Sequence, residues 1–403
     1  MACLLALLPA VGQPAKGLND LGVMAFDAKR YAQALEHFTK ALALDPENPA
    51  IRRNACAVHQ AVANELAGQG EVDAAIARVQ QGIDVDPSNA SALTQSGAYH
   101  LAAGKPADAE SRLRSALALA PDDSDALFLL GEACYQQNKL AEAEAAWGRV
   151  LAADPDRQGL QEKYSKLVRE SEVEQDFNQY SAGHFQISYA KALSEETRAM
   201  VFAVLEEAYD AVGTKLGGLY PPDVVQVVLY DGAQFAEATG TAAHVGALYD
   251  GKIRAPITAR NGRFLSRGVL SVRLTHEYVH VVLTGHLGPR LPWWLNEGLA
   301  EVFSREMDQN RTRTLGRAIR GDRAHALRDL EARQLDRLAP EALAVAYAQA
   351  HAVSDVLWRE GGAEKMGRFV GLLREGKKPE DALGTVYGLD YARLEGKVAA
   401  AFR

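Results

Sequence analysis

Apolar and polar positions in the N-terminal half of the chain follow a helical period, and the pattern repeats. A proline beside an aspartate recurs at intervals of 41, 34 and 34 residues. Because proline cannot continue a helix and disfavours helix in the residue before it, each unit is predicted to end there. Small residues recur in step and allow paired helices to approach closely. The recurring positions are Pro46, Pro87, Pro121 and Pro155, with Ala34, Ala75, Ala109 and Ala143, and with Gly22, Gly97 and Gly131.

The hydrophobic pattern changes character after the repeats. Alternating and continuous apolar runs there predict strands, and longer amphipathic runs predict helices. The predicted segments are a closing helix and linker over 157–180, a strand at HFQISYA (184–190), an amphipathic helix over 193–217, a buried strand at VVQVVLY (224–230), and two short strands about the turn Asp250-Gly251 within AHVGALYDGKIRAPI (243–257). The remainder is mostly helix. Strands followed by helices, without βαβ alternation, predict an α+β domain.

The amino-acid composition limits the kinds of partner and site that we expect. Hydrophobic residues make up 48% and charged residues 24% of the 403 residues, as in ordinary globular proteins. The net charge is -8, with most of the acidic excess in the N-terminal half, which does not favour nucleic acid as a partner. The three cysteines, Cys3, Cys56 and Cys134, are odd in number and lack C-x-x-C spacing. A disulfide framework and a thiolate zinc site are therefore not expected.

The first residues are apolar. Residues 2–11 have the length of the apolar region of an export signal, but no basic region precedes them. We therefore expect residues 1–16 to be the remnant of an export signal or a disordered start. An exported, periplasmic or membrane-associated location is favoured over a cytoplasmic one. No other stretch reaches 18 apolar residues, so we expect no transmembrane helix in the body of the chain.

The chemistry is concentrated at HEYVH within residues 271–284. His276 and His280 are four residues apart, so on a helix they share a face and can bind one Zn²⁺ ion. Glu277 stands one step round the helix, where it can act as general base on a water that the metal activates. Catalytic zinc needs a third protein ligand and an open position. The spacing therefore predicts one zinc ion per chain.

Three residues downstream compete for the place of third ligand. Glu297 follows His280 by 17 residues, and Glu301 lies four residues further on the same face of a second helix, in PWWLNEGLAEVF (292–303). His286 follows His280 by six residues, the metzincin spacing. That arrangement needs a helix-breaking glycine where Leu283 stands, so His286 is the weaker candidate, as is Glu301 in place of Glu297.

The N-terminal segments resemble the tetratricopeptide repeat (TPR) family, whose period is 34 residues. The resemblance covers about residues 17–156 and four units, and it is carried by YAQALEHFTKALALDPENP, KPADAESRLRSALALAPDD and KLAEAEAAWGRVLAADPD. It implies an all-α TPR solenoid. Such arrays form curved surfaces that bind peptides or proteins, or they act as spacers.

The C-terminal half resembles the gluzincin metallopeptidases, in which HExxH is followed by a helix with N-E-x-x-x-D/E. In that resemblance Glu297 is the third zinc ligand, Asn296 matches the residue before it, and Glu301 is the carboxylate that holds His276 by its other ring nitrogen. The separation between the motifs is a few residues shorter here than in the best-known gluzincins.

The likeness extends to the peptidase MA-like gluzincin domains of bacteria, which sometimes follow tetratricopeptide repeats. It covers about residues 180–400 and includes VVQVVLYDGAQFAEATG and YAQAHAVSDVLWREGGAEKMGRFVGLLREG. We place this domain at 181–403. The resemblance implies that Tyr347 donates to the oxyanion, a role that His351 one turn later can share or replace.

Two functions compete at this point. The first is zinc-dependent hydrolysis of a peptide or protein substrate, with a possible protein partner on the repeat array. The alternative is a TPR scaffold or adaptor that carries a catalytically silent metallopeptidase fold. Every catalytic residue type is present in the sequence, which favours the enzyme.

Overall fold

The computed structural model describes residues 12–190, 193–240, 246–305, 307–331 and 338–402. Most of the predicted start segment, residues 1–11 with Cys3, lies outside the described residues, as do residues 243–245 of the predicted strand pair. The chain divides into two compact units, residues 1–161 and 162–403. Every helix in the described part of the chain is too short or too polar to span a membrane.

Helices in consecutive pairs make up the first unit. The four pairs confirm the prediction that each repeat holds two helices, and the 20-residue helix Pro49–Gly68 of the second repeat accounts for the longer first interval. The helices are α1 (Gly12–Asp27), α2 (Tyr31–Leu44), α3 (Pro49–Gly68), α4 (Val72–Val85), α5 (Ala90–Ala102), α6 (Pro106–Leu119), α7 (Ser124–Gln136) and α8 (Leu140–Ala153).

The recurring small residues bring the two helices of each pair together. A Cβ atom on Gly131 would lie 2.2 Å from Cδ1 of Trp147, so only glycine allows this contact. In the second repeat the equivalent positions hold Ala63 and the smaller Val79, both fully buried. The larger Ala63 in place of glycine is thus matched by a smaller partner side chain, that of Val79. The same approach recurs between Gly22 and Phe38 and between Gly97 and Leu113.

A five-stranded mixed sheet opens the second unit, after helix α9 (Leu160–Glu174). The strand order is β1-β2-β3-β5-β4; β1 and β2 pair antiparallel, β2, β3 and β5 are parallel, and β4 pairs antiparallel with β5. The two short strands about Asp250-Gly251 are confirmed. The strands are β1 (Phe177–Ala182), β2 (Phe185–Ala190), β3 (Val225–Tyr230), β4 (Leu248–Tyr249) and β5 (Ile253–Pro256).

Two expectations from the sequence need correction. The helical prediction for 157–180 is wrong beyond Glu174, because Phe177–Ala182 form β1. The predicted absence of βαβ units is also wrong, since helix α10 (Glu195–Lys215) connects the parallel strands β2 and β3. The α+β class of this unit still holds, because most of its helices follow the sheet in the chain.

Helices pack behind the sheet and form most of the core. Leu274, Val279 and Val282 of the helix Arg267–Leu287 are fully buried in this core. The long helix α15 bends at Gly362, whose φ is 55°. The helices that follow α10 are α11 (Gly232–Thr239), α12 (Arg267–Leu287), α13 (Trp293–Ser304), α14 (Gln309–Arg320), α15 (Pro340–Arg374), α16 (Pro379–Tyr387) and α17 (Tyr391–Phe402).

Candidate metal centre

Helix α12 presents His276, Glu277 and His280 together. The helix begins at a Ser266 cap, whose hydroxyl accepts from the amide of Val269, and it runs without a break through the motif. The two imidazole rings lie 4.9 Å apart, centre to centre, in an edge-to-face arrangement. Four-residue spacing on one helix thus brings the rings together, as the sequence predicts.

Glu297 on α13 meets both histidines. Its Oε2 lies 3.8 Å from Nε2 of His276 and 3.8 Å from Nε2 of His280. Donor atoms of the three residues all lie within 4.8 Å of one another. Two ligands at about 2.1 Å from a tetrahedral ion are separated by about 3.4 Å, so this donor set fits one Zn²⁺ ion after a small contraction.

Burial sets the charges of these groups. It lowers the pKa of His276 to about 3, with a contribution from His280, so the imidazole is neutral and has a free lone pair. Burial raises the pKa of Glu277 to about 7, with the nearby Glu297 adding to the effect, and burial also raises the pKa of Glu297. The neutral imidazole of His276 beside two carboxyls that are costly to ionise forms an environment that a divalent cation would stabilise.

Asn296 orients the second histidine. Nδ1–H of His280 donates to the side-chain carbonyl of Asn296 over 2.9 Å. This bond selects the tautomer in which the Nε2 lone pair of His280 faces Glu297. Asn296 therefore contacts His280 from the position directly before Glu297.

Glu301 is held mainly by two arginines. Arg305 donates to both of its oxygens, over 2.6 and 2.7 Å, and Arg311 forms an ion pair with it. Glu301 Oε1 lies 3.9 Å from Nδ1 of His276, which is too long for a hydrogen bond. Burial raises the pKa of Glu301, but the hydrogen bonds from the arginines outweigh this effect and lower the pKa to about 2.

Tyr347 and His351 lie on α15, one turn apart. The Tyr347 ring packs edge-to-face on Trp293 at 5.1 Å. Burial raises its pKa, and the charges of Glu297, Glu301 and Glu277 add to the effect, which places the phenol near the acidic side of the cluster. His351 is buried, and its Nδ1 has no hydrogen-bond partner among the described residues.

His286 lies apart from the cluster. Its Nε2 is bonded to the backbone carbonyl of Tyr220 over 2.8 Å, and burial lowers its pKa. Among the described residues the donor group consists of His276, His280 and Glu297. The geometry therefore favours Glu297 over the alternatives His286 and Glu301 as the third donor.

Comparison with known families agrees with both halves of this description. Family models of the tetratricopeptide repeat match residues 15–48 and 94–157, and the model of the Peptidase MA superfamily matches residues 257–402, which contain the whole cluster. The chain joins tetratricopeptide repeats to a Peptidase MA superfamily domain. The all-α repeat array followed by an α+β domain is thereby confirmed.

Individual relatives match only parts of the chain. DnaJ homolog subfamily C member 3 of Mus musculus is 30% identical over 116 residues, which are 29% of this chain and 23% of that protein. The Homo sapiens protein of the same name is 26% identical over 136 residues, 33% of this chain and 27% of that protein. The chain thus spans about a quarter of the length of these curated relatives.

Two solved structures illustrate the similarity further. The first TPR of Spaghetti (RPAP3), bound to an HSP90 peptide, is 28% identical with a TM-score of 0.28 and covers 29% of this chain and 92% of its own. MamA from Desulfovibrio magneticus RS-1 is 20% identical with a TM-score of 0.31 and covers 39% of this chain and 85% of its own.

A buried ionic network fixes the strand pair β4 and β5 of the second unit. Arg254 of β5 is fully buried and pairs with Glu170 over 2.6 Å and with Glu174 over 3.0 Å, both on α9. It also pairs with Asp250 at the turn, over 3.2 Å, and Lys166 pairs with the same carboxylate. The charge of Asp250 contributes to the raised pKa of Glu277, so this turn lies near the cluster.

Sequence analysis did not identify the groups around Glu301 and Glu277. Arg305 lies four residues after Glu301, a spacing that could have indicated an ion pair on one helix. Arg311 is on α14 and Asp250 is on the strand pair, so only the fold brings them close. No sequence signal pointed to either.

Proposed function

We propose that the Peptidase MA domain hydrolyses peptide bonds with one zinc ion, and that the repeat array binds a protein or peptide. The observation that carries the proposal is the convergence of His276, His280 and Glu297 with Glu277 beside them. Two imidazoles and one carboxylate are the donor set of a catalytic zinc with an open position. Zinc bound there would activate a water and polarise the substrate carbonyl.

Glu277 is the proposed general base and acid. Its carboxyl is buried, and a pKa of about 7 allows it to take a proton from water and return it to the leaving amine near neutral pH. His276 and His280 hold the metal with their Nε2 atoms, and Asn296 keeps His280 in the required tautomer.

Tyr347 is the proposed donor to the substrate oxyanion. Its side chain is half-buried, and its phenol stays protonated because burial raises its pKa, with the charges of Glu297, Glu301 and Glu277 adding to the effect. One such donor is worth about 3 kcal/mol of transition-state stabilisation. His351 is buried more deeply, which favours a supporting position beneath Tyr347 over direct contact with substrate.

Strand β4 is the proposed edge on which the substrate lies. It ends the sheet order, so its outer side pairs with no further strand among the described residues. Its residues Leu248 and Tyr249 are half-buried. An extended peptide can add to such an edge through main-chain hydrogen bonds.

The repeat array offers a separate binding surface. A groove of about 500 Å³ lies along α3, α5 and α7, and amides and hydroxyls line much of it. Gln95 donates to Asn64 over 2.8 Å, and Gln60 donates to Ser91 over 3.2 Å. Side-chain amides offer both donors and acceptors to a peptide backbone, which supports protein or peptide binding by the array.

Hydrolysis of a broad peptide library tests the enzymatic proposal. We expect the zinc-loaded protein to cleave part of the library, and Glu277→Gln to retain zinc while losing at least about 100-fold in kcat/KM. Glu237→Gln, on the separate helix α11, serves as the matched control and should cleave normally. Zinc binding without cleavage by the unaltered protein would favour a scaffold with a silent peptidase fold.

A further inference from the structure

Arg273 occupies the same face of α12 as the catalytic motif. It stands three residues before His276 and four before Glu277, spacings at which side chains on a helix are neighbours. The side chain therefore emerges about one turn, or about 5.4 Å along the axis, before the cluster. Neither the metal site nor the general base uses it.

The guanidinium of Arg273 has no counter-ion among the described residues. The residue is half-buried, and burial lowers its pKa. Within the described ranges it makes no hydrogen bond or ion pair, whereas Arg305 and Arg311 are both bound to Glu301. A half-buried guanidinium without a partner, one helical turn from the cluster, is available to bind an anionic group.

Arg273 also borders the proposed substrate edge. A Cβ atom on Gly246 would lie 3.0 Å from Nε of Arg273 and 3.2 Å from its Cζ. Gly246 is two residues before β4, so the guanidinium lies where the chain enters the edge strand. Strand β4 itself packs against α12.

The direction of β4 determines which part of a bound peptide lies at each end of the strand. A peptide that adds antiparallel to β4 runs from the Asp250 end towards the Gly246 end. Because Gly246 lies beside the guanidinium of Arg273, the residues after the cleaved bond extend towards Arg273. A guanidinium binds a carboxylate through two parallel hydrogen bonds, which a neutral group cannot replace.

The geometry points to Arg273 as a specificity-determining residue that binds a carboxylate of the substrate on the C-terminal side of the cleaved bond. This inference rests on the proposed peptidase function. The carboxylate can be the C-terminus of the peptide or the side chain of an acidic residue. The first source would make the enzyme a carboxypeptidase-like exopeptidase, and the second an endopeptidase with an acidic preference.

Matched peptides distinguish these sources. One pair differs only in a free or amidated C-terminus, and a second pair carries Glu or Gln one or two residues after the cleaved bond. We expect the unaltered protein to prefer the carboxylate in one pair by about tenfold or more in kcat/KM, mainly through KM. Arg273→Gln should reduce that ratio to about one, Arg273→Lys should restore part of it, and Arg273→Glu should favour peptides with Lys at the same position.

Arg267→Gln is the control, because Arg267 is an exposed arginine of the same helix that pairs with Glu207. It should keep the ratio of the unaltered protein. Equal cleavage within both peptide pairs, or a preference that persists in Arg273→Gln, would overturn the assignment of Arg273.

Binding measurements separate failure of this inference from failure of the proposed function. The zinc-loaded Glu277→Gln protein is titrated with the same peptides, with and without Arg273→Gln. Carboxylate-dependent binding that Arg273→Gln abolishes supports the inference even if the unaltered protein cleaves nothing, in which case only the hydrolytic proposal fails. If the unaltered protein cleaves peptides but binding does not depend on the carboxylate, only the role of Arg273 is overturned. If there is neither cleavage nor carboxylate-dependent binding, the role of Arg273 and the hydrolytic proposal are both overturned.

Discussion

At the scale of residues, the cluster is defined by charges that the protein itself does not neutralise. Glu277 and Glu297 are buried beside two imidazoles, and burial keeps the imidazole of His276 neutral. Glu301, only a few residues away, is instead neutralised by Arg305 and Arg311. The carboxylate of Glu297 is therefore available to a metal, whereas that of Glu301 is fixed within the protein.

Glu301→Gln tests the role of the fixed carboxylate. The change leaves Arg305 and Arg311 without their anion and removes the negative charge next to Nδ1 of His276. We expect zinc affinity to fall about 10- to 100-fold, as measured by competition with a chelator. Glu360→Gln, a surface carboxylate that pairs with Lys397, should leave the affinity unchanged. Unchanged zinc affinity in Glu301→Gln would show that this residue does not support the site.

Some residues of the site could be predicted from the sequence more directly than others. His276, Glu277 and His280 follow from helical spacing alone, because the motif is local. Glu297 required the resemblance to gluzincins, since two other residues fit a third-ligand role. Its meeting with the histidines depends on how two helices pack, which no local pattern encodes.

At the scale of elements, the approach of α13 to α15 places Glu297. A Cβ atom on the adjacent Gly298 would lie 2.1 Å from Oγ of Ser354 and 2.3 Å from the carbonyl oxygen of Ala350. Glycine at this position therefore allows the two helices to touch directly behind the cluster. The position of Glu297 depends on this contact.

Gly298→Ala should displace α13 and weaken metal binding. We expect the free energy of unfolding to fall by about 1–3 kcal/mol, because the added methyl overpacks a close helix contact. Zinc affinity should fall with it. Gly285→Ala on α12, where an added Cβ meets nothing within 4 Å, is the matched control and should be neutral or stabilising. Denaturant unfolding and chelator competition on both variants make the comparison, and equal behaviour of the two would contradict the assigned role of Gly298.

Arg254→Met tests the network that fixes β5. The change leaves Glu170 and Glu174 buried without their main cation, and we expect a loss of about 3–5 kcal/mol in unfolding free energy of the second unit. Arg267→Met, which removes an exposed pair, should cost less than about 1 kcal/mol. Urea unfolding followed by intrinsic fluorescence measures both. A loss for Arg254→Met no larger than that for the control would show that the network contributes little.

Prediction of elements succeeded where apolar patterns were strong. The strands at 184–190 and 224–230 and the helix at 193–217 were found within a few residues. Strand β1 was missed because its residues FNQYSA are mostly polar and exposed, so no alternation marks it. The βαβ connection was missed because parallel pairing joins segments that are distant in sequence.

At the scale of the whole molecule, the chain combines a repetitive unit and a non-repetitive one. The repeats were predictable in number and phase because each helix pair depends on the same small residues and the same Asp-Pro ends. The second unit was predictable in class, but its sheet order and its ionic network were not. Those features arise from contacts between residues as far apart as Glu170 and Arg254.

Metal content tests the central claim most directly. The zinc bound per chain is measured by inductively coupled plasma mass spectrometry after reconstitution and removal of free metal. We expect about one zinc in the unaltered protein and in His286→Ala, and close to none in His276→Ala and Glu297→Ala. Loss of zinc in His286→Ala with retention in Glu297→Ala, or no zinc in the unaltered protein, would contradict the account.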